Sequence, residues 1–365
     1  MLLADLDTPA LVADLDIVQR NVRRMADLAR RGGKSLRPHV KTHKSPDLAR
    51  LQLAAGATGI TVAKLGEAEV MADAGFNDLF LANEPATEVK ATRLAILVRR
   101  ARVAAGVDSL EGAAILSRAA ARAGVVVGIR IEVDTGLGRC GVRTAEAALE
   151  IARAVCDSPG LRLEGIFTHE GHVYRASPEE VRTACVGAAA RMREVAEVLR
   201  TEGLPCGLVS VGSTPGAAAM ADEPGIDEMR PGVYVFNDGM QAALGSAREE
   251  DCGLTVLASV ISRPEAQIAI LDAGSKALSS DRAESGSRHG AILGLPQARI
   301  DWLSEEHAHV DLRGVPAAAR PRLGEKVRIV PHHACACVNL HSYMVVARAD
   351  RVQDRWPIAA RGRMQ

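Results

Sequence analysis

The sequence predicts an α/β protein: a (β/α)8 TIM-like barrel with a second, C-terminal all-β domain. Three observations predict it. Over the first two thirds of the chain, eight short apolar runs alternate with Ala-, Arg- and Glu-rich amphipathic stretches. That is the rhythm of a parallel sheet crossed by helices, and a count of eight favours closure into a barrel. After about residue 248 the rhythm gives way to β-type runs separated by turn residues. The chain's 365 residues also suffice for two cores. The expected division is 1–248 for the barrel and 249–365 for the β domain, with residues 1–10 as candidates to join the latter. An open doubly wound sheet is the rival arrangement.

The barrel strands are expected in LRPHVK (36–41), GITVAK (59–64), DLFLAN (78–83), RARVAAGVD (100–108), VVVGIRIEVD (125–134), LEGIFTHEG (163–171), LVSVGS (208–213) and GVYVFND (232–238). Strands buried on both faces of a parallel sheet read as apolar runs of this kind. Helical patterns lie between most of them. In SPEEVRTACVGAAARMREVAEVLRTEG (177–203), Ser177 can cap the start and Gly203 stands at the end. The second domain is expected to build on LTVLASVISR (254–263), QIAILDAG (267–274), EKVRIVP (325–331) and the stretch from Tyr343 to Gly362. The Gly/Ser-rich segment 279–298 reads as an exposed or dimer-facing loop.

Composition excludes several functions. Lys+Arg and Asp+Glu both number 45, so no basic excess points to nucleic acid or an anionic membrane. Aromatics at 2% are too few for base-stacking platforms. No apolar run reaches the roughly 20 residues of a membrane helix, and the first residues lack the basic and apolar regions of a signal peptide. The seven cysteines are odd in number and scattered, which suits reduced thiols and a cytoplasmic protein.

Reactive groups in such a barrel gather at the carboxyl ends of strands. There stand Lys41, Lys64, Asp134 to Arg139, His169 to His172, Ser213 with Thr214, and Asn237 with Asp238. Lys41 is flanked by His39, His43 and Lys44. A lysine among cations, partly removed from water, has a lowered pKa and suits Schiff-base chemistry; a basic surface turn is the alternative. VSVGSTPG (209–216) places Ser213 and Thr214 between an apolar strand and a helical run, a cradle for phosphate or a plain helix cap. In THEGHVY (168–174), His169 and His172 are candidates for proton transfer or simply polar loop residues. A phosphate cradle and a nucleophilic lysine together point to pyridoxal phosphate.

In order along the chain, DTPALVADLDIVQRNVRRM, RPHVKTHKS, EVDTGLGRCGV, SVGSTPG and MRPGVYVFND resemble the blocks of the fold-type III pyridoxal-phosphate enzymes, a family of alanine racemases, D-threonine aldolases and D-serine dehydratases. LDAGSKALSSD, EEHAHV and PHHACACVNLH with its tail resemble the subgroup that carries a β domain and a metal. The resemblance implies that Lys41 binds the cofactor aldehyde, that Arg139 lies near the ring oxygen, and that Arg230 faces the pyridine nitrogen. It implies phosphate binding by Ser213 and Thr214, joined by Tyr234 unless that side chain simply fills the barrel. Catalysis would fall to Lys41, His169 and Arg139.

The resemblance further assigns His333 and Cys335 as metal ligands. In an extended strand, residues i and i+2 face the same way and can meet one ion. On the same geometry Cys337 is a reserve ligand and His332 points away. Sulfur with imidazole favours zinc, with manganese as the alternative. The implied substrate is a D-β-hydroxy-α-amino acid bound to a homodimer. The implied reaction is retro-aldol cleavage to glycine and an aldehyde, as in D-threonine aldolases. The alternative is β-elimination to a 2-oxo acid and ammonia, as in dehydratases of D-serine or D-threo-3-hydroxyaspartate. A racemase, or a cofactor-binding protein without activity, comes after these.

Overall fold

The computed structural model describes residues 1–283 and 289–365. Its contacts divide them into two units, one of Met1–Arg23, Thr42–Asp47 and Val233–Arg361, the other of Arg24–Lys41, Leu48–Gly232 and Gly362–Gln365. The expected loop 279–298 includes residues 284–288, which lie outside the described residues.

In chain order the strands are β1 (Ala10–Asp14), β2 (Ser35–Leu36), β3 (Ile60–Val62), β4 (Asp78–Leu81), β5 (Arg102–Val107), β6 (Val127–Glu132), β7 (Leu161–Phe167), β8 (Val209–Val211), β9 (Glu228–Met229), β10 (Leu254–Glu265), β11 (Ile268–Leu271), β12 (Gly290–Ile292), β13 (Arg299–Leu303), β14 (Ala308–Asp311), β15 (Lys326–Pro331), β16 (Tyr343–Arg348) and β17 (Arg351–Pro357).

Strands β2 to β9 form the second unit's sheet, in the order β2-β9-β8-β7-β6-β5-β4-β3. Every pairing is parallel. The end strands also meet: a parallel bridge joins His39 to Thr61, and the Thr61 N–H donates to the Pro38 carbonyl at 2.8 Å. The sheet therefore closes as a barrel with its helices on the crossovers, as the alternating runs require. The helix Pro178–Thr201 starts after Ser177, whose N–H donates to Glu180 Oε2 at 2.8 Å, and it ends before Gly203 at φ 76°.

The eighth barrel strand is not where the sequence placed it. Val233–Val235 form a 3-10 turn, with the Phe236 and Asn237 N–H groups both donating to the Val233 carbonyl. The strand is instead the pair Glu228–Met229. Glu228 explains how a charge can sit there. Its carboxylate accepts from Arg37 Nε (2.6 Å), Arg130 Nη1 (2.7 Å) and Ser210 Oγ (2.6 Å), and all four residues are buried. Above this network Phe80 and Phe167 meet edge to face at 4.9 Å.

The first unit holds a mostly antiparallel sheet in the order β13-β14-β11-β10-β1-β16-β17, with β15 paired to β10 and β12 paired to β15. Strand β1 lies between β10, antiparallel, and β16, parallel. Its Leu11, Val12 and Ala13 are buried, and Val12 packs in one cluster with Leu3, Leu6, Leu257, Val345 and Ala347.

Candidate active site

Lys41 sits in the 3-10 turn Val40–Thr42 that follows β2. It stands close enough to two histidines to act on their charge. Burial and the Lys41 ammonium push His39 well below the ordinary imidazole value, and His39 Nδ1 accepts from the Lys41 backbone N–H at 3.5 Å. His169, after β7, is driven down to about 3, by burial first and then by Lys41. His169 Nδ1–H donates to the Gly212 carbonyl at 2.5 Å. A carbonyl only accepts, so the proton is on Nδ1 and Nε2 keeps its lone pair. His172 is half-buried, and its Nδ1 has no hydrogen-bond partner among the described residues.

Arg230 follows β9 and is buried. Its Nη1 donates to Ser210 Oγ and its Nη2 to the Thr168 carbonyl at 2.6 Å, while its carbon lies 5.5 Å from the Phe80 ring centre. Burial lowers the guanidinium to about 10, against the pull of Glu228 and Glu170. Arg230 Nε has no hydrogen-bond partner among the described residues. Ser213 and Thr214 are buried after β8, and Ser213 Oγ accepts from the Gly216 N–H at 3.1 Å, which closes the turn; the helix Ala217–Asp222 has Gly216 at its N-cap and takes no side-chain cap. Tyr234 is buried in the first unit, in the 3-10 turn Val233–Val235.

Arg139, about half exposed, reaches Glu132 Oε1 with Nη2 at 3.5 Å. Glu132 belongs to a set that sequence reasoning missed: among the described residues, the ligand atoms of Glu84, Glu132 and Cys140 lie within 4.8 Å of one another. Burial, then a hydrogen bond and the charge of Glu132, raise Glu84 to about 9. Glu84 thus keeps its proton near neutrality and donates it to Glu132, whose Oε1 also meets Arg139. The sequence signal was available, since Glu84 follows β4 and Glu132 ends β6.

The metal candidates lie in the first unit, and their backbone differs from expectation. Ala334–Val338 is a short helix with extended His333 at its N-cap, because Asp238 Oδ2 accepts from the Ala334 N–H at 2.8 Å. His333 and Cys335 therefore do not alternate along a strand, yet the two side chains still hydrogen-bond. Thr42 Oγ1 lies 3.2 Å from Cys335 Sγ. His333 Nδ1 meets Asp281 Oδ2 at 2.5 Å, a partner no motif announced. Burial opposes protonation of His333, but Cys335 and Asp281 outweigh it and lift the ring to about 10. Cys337 is not a reserve ligand: it is fully buried and Sγ donates to the Ala277 carbonyl at 3.1 Å. His332 is structural, its carbonyl accepting from the Met240 N–H at 3.0 Å. All seven cysteines are free thiols.

Among the described residues no helix is long and apolar enough to cross a membrane. Residues 13–239 match the family "Alanine racemase, N-terminal domain", and residues 253–347 match a serine dehydratase domain. The chain is 37% identical over 364 residues to a D-threonine aldolase of an Arthrobacter species, covering 99% of this chain and 94% of that one. It is 38% identical over 369 residues to the D-threo-3-hydroxyaspartate dehydratase of a Delftia strain, covering 96% and 97%. The crystal structure of D-threonine aldolase from Filomicrobium marinum superposes with a TM-score of 0.94 at 34% identity, over 100% of this chain and 99% of that one. The chain thus belongs to the alanine-racemase N-terminal-domain family, as a lyase of the fold-type III pyridoxal-phosphate enzymes.

Proposed function

We propose that this lyase acts as an aldolase, cleaving a D-β-hydroxy-α-amino acid between Cα and Cβ into glycine and an aldehyde. The observation that carries the reading is the tautomer of His169, held with Nε2 unprotonated by the Gly212 carbonyl. Retro-aldol cleavage needs an acceptor for the β-hydroxyl proton, and elimination of that hydroxyl needs a proton donor. A ring driven down to about 3 is available as the former throughout the neutral range and not as the latter. So weak a base takes a proton only from an oxygen made more acidic by a cation.

The residues fit both groups that this chemistry requires. Arg230 Nε is a buried donor without a hydrogen-bond partner among the described residues, suited to a ring nitrogen. Lys41 supplies the amine for the aldehyde, Glu132 holds Arg139 at 3.5 Å, and Ser213 with Thr214 offers hydroxyls to the phosphate. Imidazole and sulfur at His333 and Cys335 suit zinc better than a hard cation, with manganese second. His333 lies between Cys335, to which it hydrogen-bonds, and Asp281 Oδ2 at 2.5 Å, a donor set that suits a cation. When bound, pyridoxal phosphate supplies the electron sink and the metal supplies Lewis acidity. We assign the cofactor residues to the family match that ends at residue 239 and the metal residues to the one that begins at 253, with a homodimer as the assembly.

At 38% identity the Delftia dehydratase is as similar to this chain as the Arthrobacter aldolase at 37%, to within a percentage point, so β-elimination to a 2-oxo acid and ammonia is the second reading. Incubating the zinc-loaded, cofactor-loaded protein with D-threonine and D-serine separates them. Glycine and acetaldehyde are expected from D-threonine; 2-oxobutyrate or pyruvate with ammonia would replace the aldolase reading. Lys41→Ala should abolish both product formation and the visible absorption of lysine-bound pyridoxal.

A further inference from the structure

The loop 168–174 and the turn 212–216 of the barrel unit meet at one residue. His169 Nδ1–H donates to the Gly212 carbonyl at 2.5 Å, and the Gly212 N–H donates to Glu170 Oε2 at 3.0 Å. Two consecutive side chains thus hold both polar groups of Gly212. The opposite side is closed as well, since a Cβ on Gly212 would lie 2.8 Å from both Arg230 Cβ and the Arg230 carbonyl oxygen. Gly212 has nowhere to move, and Ser213 follows it directly.

Glu170 is fully buried, and its second oxygen, Oε1, has no hydrogen-bond partner among the described residues. That oxygen borders the same turn. A Cβ on Gly216 would lie 3.3 Å from Glu170 Oε1 and 2.8 Å from Ser213 Oγ. A carboxylate that served packing alone would have both oxygens satisfied, because an unmatched buried acceptor is costly. This one keeps capacity for a further donor, from a water or a hydroxyl, on the side of the turn.

We infer that Glu170 is a positioning residue for the phosphate end of the cofactor. It fixes Gly212, holds the Ser213–Thr214 turn in its receptive shape, and locks that turn to the loop that carries His169. The inference rests on the reading of this turn as the phosphate site. Nothing in the reaction requires Glu170 to touch the reacting carbon. Its effect reaches the chemistry through Gly212, so it should show in binding of the phosphate more than in binding of the ring.

Titrating the metal-loaded apoprotein with pyridoxal phosphate and with phosphate-free pyridoxal, by visible absorbance, tests this in the wild type, Glu170→Ala and Glu170→Gln. Glu170→Ala should weaken pyridoxal phosphate by about tenfold or more, the loss of one charge-assisted hydrogen bond, and pyridoxal by less than about twofold. Glu170→Gln keeps an oxygen for the Gly212 N–H and should stay within about threefold of wild type for both. Equal losses for the two compounds, or none, would overturn the inference. A wild type that binds neither compound would instead remove the cofactor reading beneath it. Where Glu170→Ala does not fold, Glu170→Asp replaces it: one methylene shorter, it keeps the charge but not the reach, and the same selective loss is expected.

Discussion

At the scale of single residues, the proposed metal pair, His333 and Cys335, and His169 illustrate how a partner decides what a side chain can do. Asp281 holds His333 Nδ1, which leaves Nε2 for a cation and raises the ring's basicity as a ligand. Removing such an outer partner weakens metal affinity by about 10- to 100-fold. Asp281→Ala should therefore lose zinc affinity in that range in a chelator competition, and an unchanged affinity would separate Asp281 from the metal. Cys337→Ala in the same assay should match wild type, since its thiol is committed to the Ala277 carbonyl. His169 makes a pH prediction. Its folded value, about 3, lies below the unfolded imidazole value near 6.5. The unfolded chain therefore binds more protons in that window, and this residue removes stability as pH falls from about 6.5 toward 3. Nitrogen NMR should show the His169 ring neutral and protonated on Nδ1 from about pH 5 to 8. An imidazolium appearing there would undo its role as proton acceptor.

At the scale of elements, six barrel strands were legible as apolar runs, from Ile60–Val62 to Val209–Val211, because a strand buried on both faces has no polar side to interrupt it. The eighth was not legible, for a physical reason. Glu228–Met229 is too short for a pattern and half of it is charged, and only the arginines brought from β6 and the end of β2 make that charge tolerable. Conversely GVYVFND reads as a strand although its backbone turns. The stretch His332–Cys337 misled in the same way, since alternating Ala and Cys suit a strand or a helix and a distant carboxylate, Asp238, chose the helix. Among the candidate residues, Lys41, His169 and Ser213 could be found from strand ends, whereas Arg230 came only from the resemblance, because the strand it follows was expected elsewhere. Glu84 and Glu170 also follow strands, but what they touch could not be read there, and Asp281 follows none, because contact across the fold leaves no spacing in the sequence. The closing strand can be tested directly. Burial opposes ionisation of Glu228, but Arg130 and Arg37 outweigh it and hold the carboxyl down to about 2. Its contribution is thus complete above the ordinary carboxylate range and is lost as pH falls through about 2. Glu228→Ala leaves Arg37 and Arg130 buried without their shared partner. Breaking a buried pair this way costs about 3–5 kcal/mol, measurable by urea unfolding at neutral pH, and a cost below about 1 kcal/mol would show that the arginines find water instead.

At the scale of the whole molecule, the order of the chain and the order of the sheet disagree in a way that constrains how the protein folds. The carboxyl-terminal third supplies most strands of the first unit, yet its central strand β1 comes from residues 10–14. Without β1, both β10 and β16 would present unpaired edges, and the cluster around Leu257, Val345 and Ala347 would lose Leu3, Leu6 and Val12. Open edges beside an exposed apolar core promote aggregation rather than folding. A fragment of residues 249–365 alone is therefore expected to lack a cooperative thermal transition and dispersed amide NMR signals. The same fragment with residues 1–23 fused through a flexible linker should recover more of both, because the missing strand then pairs with each neighbour. Cooperative unfolding of the fragment by itself would mean that β10 and β16 close on each other without β1. The first residues would then be an addition to an autonomous sheet and not the strand that completes it.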